Sequence, residues 1–109
     1  MDNTVTLFDY KTEDIRIHVV ARFEKDDLVI DGYDIGKRVE EYWEDSDYEY
    51  TITVRGHAIP ALSKALNVDN DHFLILQALV KKFQGNHCFS VLGDFLSQHD
   101  IKYERFSWT

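Results

Sequence analysis

Apolar and polar residues alternate along the first half of the chain, and the spacing changes to that of helices in the second. Ile15, Ile17, Val19, Ala21 and Phe23 alternate with Arg16, His18 and Arg22, the period-2 signature of a half-buried strand. The run Leu28 to Ile30 follows the turn-like Lys25-Asp26-Asp27, so the two segments predict a hairpin. Thr4 to Phe8 alternates more weakly and is expected as an additional edge strand. Tyr48, Tyr50, Ile52 and Val54 share one side of a further segment whose other side carries Glu49, Thr51, Thr53 and Arg55, again a strand pattern. Ile59, Leu62 and Leu66 then fall at helical spacing, with Pro60 in the first turn and Asn67 at the end. Asp69 or Asp71 is placed to cap a second helix with the stripe Phe73, Leu76, Leu79 or Val80, and Phe83, and Gly85 is placed to terminate it. Phe89, Leu92, Phe95 and Leu96 supply the buried face of a third short helix. The aromatic, alternating tail Ile101 to Trp108 is expected to return as a last strand. Strands, then helices, then a strand predict an α+β fold, an antiparallel sheet of about four to five strands with two to three helices on one face, not a parallel doubly wound sheet.

Length sets the number of cores. At 109 residues, 44% of them hydrophobic, the chain suffices for one core and one domain spanning residues 1–109. Twenty acids against twelve Lys and Arg give a net charge of -8, which disfavours general attraction to nucleic acid or anionic membrane and favours a basic partner. The charge is uneven: residues 1–56 hold fifteen acids and seven Lys or Arg, and residues 57–109 hold five of each. With no repeat and no Pro-, Gly- or Ser-rich linker, this asymmetry is assigned to one face of one domain. The start, MDNTVTLFDYKTED, has neither a basic n-region nor an apolar h-region, and no run approaches the ~18 apolar residues of a membrane span. The single cysteine, Cys88, excludes an internal disulfide and a four-thiolate zinc site. These features lead to the expectation of a soluble, cytoplasmic protein.

Catalytic signatures are sparse. Asp45-Ser46-Asp47-Tyr48-Glu49 spaces its acids as calcium loops do, but lacks the glycine and the bidentate Glu that turn and close such a loop. Asp2, Asp9, Asp26, Asp27, Asp31 and Asp34 are read as turn formers. Among the histidines, His18 is expected to pair with an acid on a neighbouring strand, His57 to sit in a loop before a helix, and His72 and His99 to be exposed. His87 next to Cys88 is only a sequence neighbour, because adjacent side chains point apart, and Cys88 is read as a half-buried structural thiol. No GxSxG, Walker loop or GxGxxG occurs. The expectation is a protein that is not an enzyme, without catalytic residues, metal or cofactor.

The densest feature is VEEYWEDSDYEY, residues 39–50, in which six carboxylates interleave with four large aromatics. Carboxylates alone suit a solvated face, whereas Trp and Tyr among them supply the contact area that dominates protein interfaces. The partner-binding candidates are Glu40, Glu41, Tyr42, Trp43, Glu44, Asp45, Asp47, Tyr48, Glu49 and Tyr50. Upstream, Gly32 and Gly36 are expected to frame a polar turn that aims the block outward. If residues 37–44 form a short helix, Val39 and Trp43 anchor it, and the acids remain free for a basic partner.

LVIDGYDIG followed by VEEYWEDSDYEYTITV resembles a pattern of small bacterial proteins, in which a hydrophobic-x-G-x-D-hydrophobic-G strand exit precedes an acidic D-Y-E-Y strand. The positions carrying the resemblance are Gly32, Asp34, Gly36, Asp47, Tyr48, Glu49 and Tyr50. In size, acidity and layout the chain is similar to immunity proteins of bacterial toxin systems, which bind a cognate toxin domain and block its active site. The resemblance implies an inhibitor of a basic toxin domain, with a nuclease as the natural case, since sites that attract phosphate attract carboxylates. The alternative is an adaptor or self-associating domain, a homodimer included, using the same block or an exposed edge strand carrying Phe106 and Trp108.

Overall fold

The computed structural model describes residues 4–13, 15–36, 47–85 and 87–108, with side chains at all of these except 36, 47, 48 and 108. Strands β1 (Thr4–Lys11), β2 (Ile15–Glu24), β3 (Asp27–Gly36), β4 (Asp47–Val54) and β5 (Glu104–Trp108) form one sheet in the order β1-β2-β3-β4-β5. All four pairings are antiparallel. Between β4 and β5 the chain makes a 3₁₀ turn (Gly56–Ala58) and helices α1 (Ile59–Leu66), α2 (His72–Phe83) and α3 (Cys88–Gln98). The fold is α+β, one antiparallel sheet with three helices, and the expected order of elements holds.

Register explains which residues are buried. Val5, Ala21, Ile30 and Ile52 stand opposite one another across four strands, and Phe23, Leu28 and Val54 form the next row. Together with Leu62, Ile75, Leu79, Phe83, Leu92 and Leu96 from the helices these residues form a single core cluster, with Val5 packed against it. Successive strand residues point to opposite faces, so this one-sided packing sends Arg22, Asp31, Tyr33, Glu49 and Thr51 to the other face. The weak alternation of Thr4 to Phe8 has a cause. The β1–β2 register shifts between Thr6 and Phe8, leaving Leu7 as an extra residue that is 2% exposed, while Phe8 packs against the core edge. Past this bulge the alternation is restored with Asp9 opposite His18 and Lys11 opposite Arg16.

Local chemistry ends the helices. Asn67 closes α1 in the left-handed region at φ 61, and the Asp71 carboxylate caps α2 by accepting the Leu74 N–H at 3.0 Å. Helix α2 stops at Phe83 with Gln84 extended. Gly85, at φ 119, then turns its N–H to the Leu7 carbonyl at 3.4 Å, so the expected terminator also ties the α2–α3 connection to the bulge in β1. Two expectations are corrected. His72 is half-buried, not exposed, its ring stacked on Phe23 at 3.7 Å between centroids. Gly32 to Gly36 is not a polar turn but the continuation of β3, paired with β2 through Gly36.

Gly32 serves a different purpose from a turn. It faces Tyr50 across β3 and β4, and the Tyr50 ring lies over it so closely that a Cβ on residue 32 would stand 2.0 Å from the ring. The ring is held there by an edge-on contact with Phe89 at 4.6 Å and by its hydroxyl, which donates to Asp34 Oδ1 at 3.0 Å. Gly32→Ala therefore displaces a ring with two fixed contacts. It is expected to destabilise the fold by about 1–3 kcal/mol in urea unfolding. Because the cost arises from this one ring, the same substitution in a Tyr50→Ala background is expected to cost much less, and an additive cycle would refute the seating role.

Candidate partner-binding face

The helices leave the second face of the sheet open among the described residues. Its rows, read across the strands, are Arg22, Val29, Thr53 and Glu104, then Val20, Asp31, Thr51 and Phe106, then Asp9, His18, Tyr33 and Glu49. Arginines neutralise most of the acids here. Arg22 pairs with Asp31 and Glu24, and Asp31 also accepts the Thr51 hydroxyl at 2.9 Å. Arg55 holds Glu104 through two nitrogens at 2.5 and 3.0 Å and Asp27 at 3.0 Å. Asp27 in turn accepts the Gly56 N–H at 2.8 Å. The Gly56 N–H and the Arg55 guanidinium hold the Asp27 carboxyl below its ordinary range. Arg55 does the same for Glu104, and its own proton is held more tightly by both acids. Asp9 lies 3.4 Å from His18 and 3.7 Å from Arg16, so His18 does meet an acid on the adjacent strand.

Glu49 differs from these acids. It is exposed and has no cationic partner among the described residues. It borders a shallow hollow of about 290 Å³ lined by Val20, Asp31, Gly32, Tyr33, Glu49 and Thr51. An unneutralised carboxylate beside a tyrosine ring, on a floor of valine and threonine, suits a lysine or arginine side chain. The carboxylate supplies charge and the ring supplies contact area.

The expected binding residues divide. Glu40, Glu41, Tyr42, Trp43, Glu44 and Asp45 lie outside the described residues, as does the proposed helix at 37–44. Asp47 and Tyr48 open β4, in register with Ile35 and Asp34. Glu49 and Tyr50 fall on opposite faces. The open face excludes Tyr50, because it is committed to Gly32, Phe89 and Asp34. Asp31, Tyr33 and Thr51 were not among the candidates. Asp9 sits inside β1 and Asp31 and Asp34 inside β3, not in turns, while Asp2 lies outside the described residues; extending the strand alternation of β3 past Ile30 is the signal that would have placed Asp31 and Tyr33 on one face.

Two other chemistries are resolved by position. Cys88 is 3% exposed and burial pushes its thiol up, whereas the adjacent His87 is exposed, so the two do not form a nucleophilic pair. His57 lies in the 3₁₀ turn before α1. Among the described residues no group of three or more His, Cys, Asp or Glu is arranged to hold a metal ion, and no helix is long and apolar enough to cross a membrane. Comparison with protein-family models, with curated proteins and with solved structures finds no match to the chain.

On the helix side, Asp34 is half-buried. Burial raises its carboxyl above the ordinary range, and the hydrogen bond from Tyr50 only partly offsets this. With the folded pKa above the unfolded one, the native state favours the protonated acid, and stability falls as pH rises through the folded pKa. Asp34→Asn removes the charge and keeps an oxygen for the Tyr50 hydroxyl. It is expected to raise the urea midpoint at neutral pH, with the gain shrinking below about pH 4, where Asp is protonated in both states. A gain of equal size at both pH values would contradict the burial argument.

Proposed function

We propose that the chain is an immunity-type inhibitor that binds a basic bacterial toxin domain and blocks its active site, a nuclease being the class whose phosphate-binding cations best suit its carboxylates. The observation that carries the reading is Glu49, an unneutralised carboxylate beside Tyr33 on the open face of the sheet. Its position adds to this. Ile35 and Asp47 are paired at the end of the sheet where β3 leads into the acid-rich segment and β4 leads out of it. At the opposite end, Arg55 has already engaged Asp27 and Glu104.

Long-range attraction from a chain of charge -8 would speed encounter with a basic partner, and aromatic contacts such as Tyr33 would slow release. On this reading the chain has no catalytic role, takes no cofactor and acts in the cytoplasm on a toxin that reaches it there. The resemblance of LVIDGYDIG and VEEYWEDSDYEY to small bacterial proteins agrees with this assignment.

The test is capture from native lysate with tagged wild-type protein and with Glu49→Gln, each at low and high salt, followed by mass spectrometry and by assay of the captured protein for toxicity. The expected result is one stoichiometric basic partner, released by salt, retained less by Glu49→Gln, and harmless to cells when this chain is co-expressed. A partner whose toxicity persists on co-expression, or whose capture is indifferent to both salt and Glu49, would refute the proposal.

A further inference from the structure

The two edges of the sheet are finished differently. At the β1 edge a bulge interrupts the register at Leu7, and the Gly85 N–H occupies the Leu7 carbonyl. Bulges and covering loops are the usual means by which an edge strand is kept from pairing with another chain. Among the described residues the β5 edge has neither. Its five residues Glu104–Trp108 stay in unbroken register with β4 and contain no proline and no lysine. No described strand lies beyond it. In an antiparallel sheet, alternate residues of such a strand turn their N–H and C=O groups away from the neighbour and leave them available. At its centre Phe106 is 62% exposed.

We propose that β5 is a homotypic docking edge, on which a second copy of this chain places its own β5 antiparallel, with the two-fold axis at Phe106. The pairing would join two five-stranded sheets into one continuous sheet. The sequence of the strand fits a copy of itself. With Phe106 opposite the partner's Phe106, Arg105 stands opposite the partner's Ser107 and Glu104 opposite the partner's Trp108. No charge therefore meets its like directly across the junction, the arrangement that destabilises strand pairs. The two charged residues are also engaged within their own copy, Glu104 by Arg55 and Arg105 over the Phe89 ring at 5.1 Å. The strand belongs to the half of the chain, residues 57–109, whose acids and bases balance.

The size and charge of the junction set its behaviour. A five-residue strand is about 17 Å long, and pairing two of them buries less than the roughly 1,200 Å² of a stable interface. The dimer is therefore reversible and concentration-dependent. Each copy also carries -8, so overall repulsion opposes pairing and added salt strengthens it by screening. The salt dependence is opposite in sign to that of a carboxylate-to-cation complex. The inference is independent of the inhibitor reading, and Glu49→Gln leaves the dimer in place, so the two succeed or fail separately.

Sedimentation equilibrium of the full chain, from about 5 to 500 µM at about 50 and 500 mM NaCl, is the deciding measurement. A reversible dimer favoured at the higher salt is expected, with Phe106→Lys weakening it by about tenfold or more as two ammonium groups are brought together. Phe106→Cys is expected to cross-link to itself on oxidation, since directly opposed residues can approach disulfide distance. Thr53→Cys, on the inner strand β4, is expected to stay monomeric under the same treatment. Should Phe106→Lys fail to fold, the contrast between the two cysteine variants decides alone. A monomer at every concentration and salt, a dimer unaffected by Phe106→Lys, or equal cross-linking at residues 53 and 106 would overturn the proposal.

Discussion

All three helices pack against one face of the sheet, and that one-sided burial determines the role of nearly every residue in the strands. Because side chains alternate across a strand, a residue's parity decides whether it joins Ala21, Ile30 and Ile52 in the core or stands with Asp31, Thr51 and Glu49 on the open face. A one-residue slip would exchange the two sets and bury charge. Several local devices hold the register against such a slip. The two-residue turn at Lys25 and Asp26, with Lys25 at φ 55, pins β2 to β3, and Tyr50 seated on Gly32 pins β3 to β4.

Arg55 performs the corresponding task for the last strand. It sits just after β4 and reaches the first residue of β3, Asp27, and the first of β5, Glu104. Three helices separate β4 from β5 in sequence, so nothing local sets their pairing. A planar guanidinium that binds one carboxylate through two nitrogens and another through a third supplies the geometric constraint that a short turn supplies elsewhere. These groups are well exposed, so the network acts more on register than on total stability.

The same ion pairs shape the electrostatic character of the molecule. Glu24 and Asp31 are matched by Arg22, Asp27 and Glu104 by Arg55, and Asp9 by Arg16, while Glu49 has no cationic partner among the described residues. The open face and the β5 edge consequently differ in the partners they suit. One is polar and negatively charged, and the other is a nearly neutral strand with a phenylalanine at its centre.

Much of this was legible in the residues themselves. Period-2 spacing, the apolar run Leu28 to Ile30 and helical spacing pointed to the five strands and three helices, Asn67 marked a helix end and Asp69 or Asp71 a helix start, of which Asp71 is the cap, because those signals depend on neighbours a few positions apart. The alternation Tyr50, Ile52, Val54 against Glu49, Thr51, Thr53 already assigned Glu49 and Tyr50 to different faces. Other features depended on partners far away in the chain. Gly32 looked like a turn former because nothing nearby revealed that the Tyr50 ring would lie on it. Asp31 and Asp34 looked like turn residues because their strand continues well past its apolar core, held by hydrogen bonds to β2 and β4. Sequence by itself determined the elements, their order and the excess of acid in the first half. Only the tertiary structure decided which acids arginines neutralise, which edge of the sheet is left open among the described residues and which tyrosine is seated on Gly32, because each of those follows from contacts between residues brought together by folding.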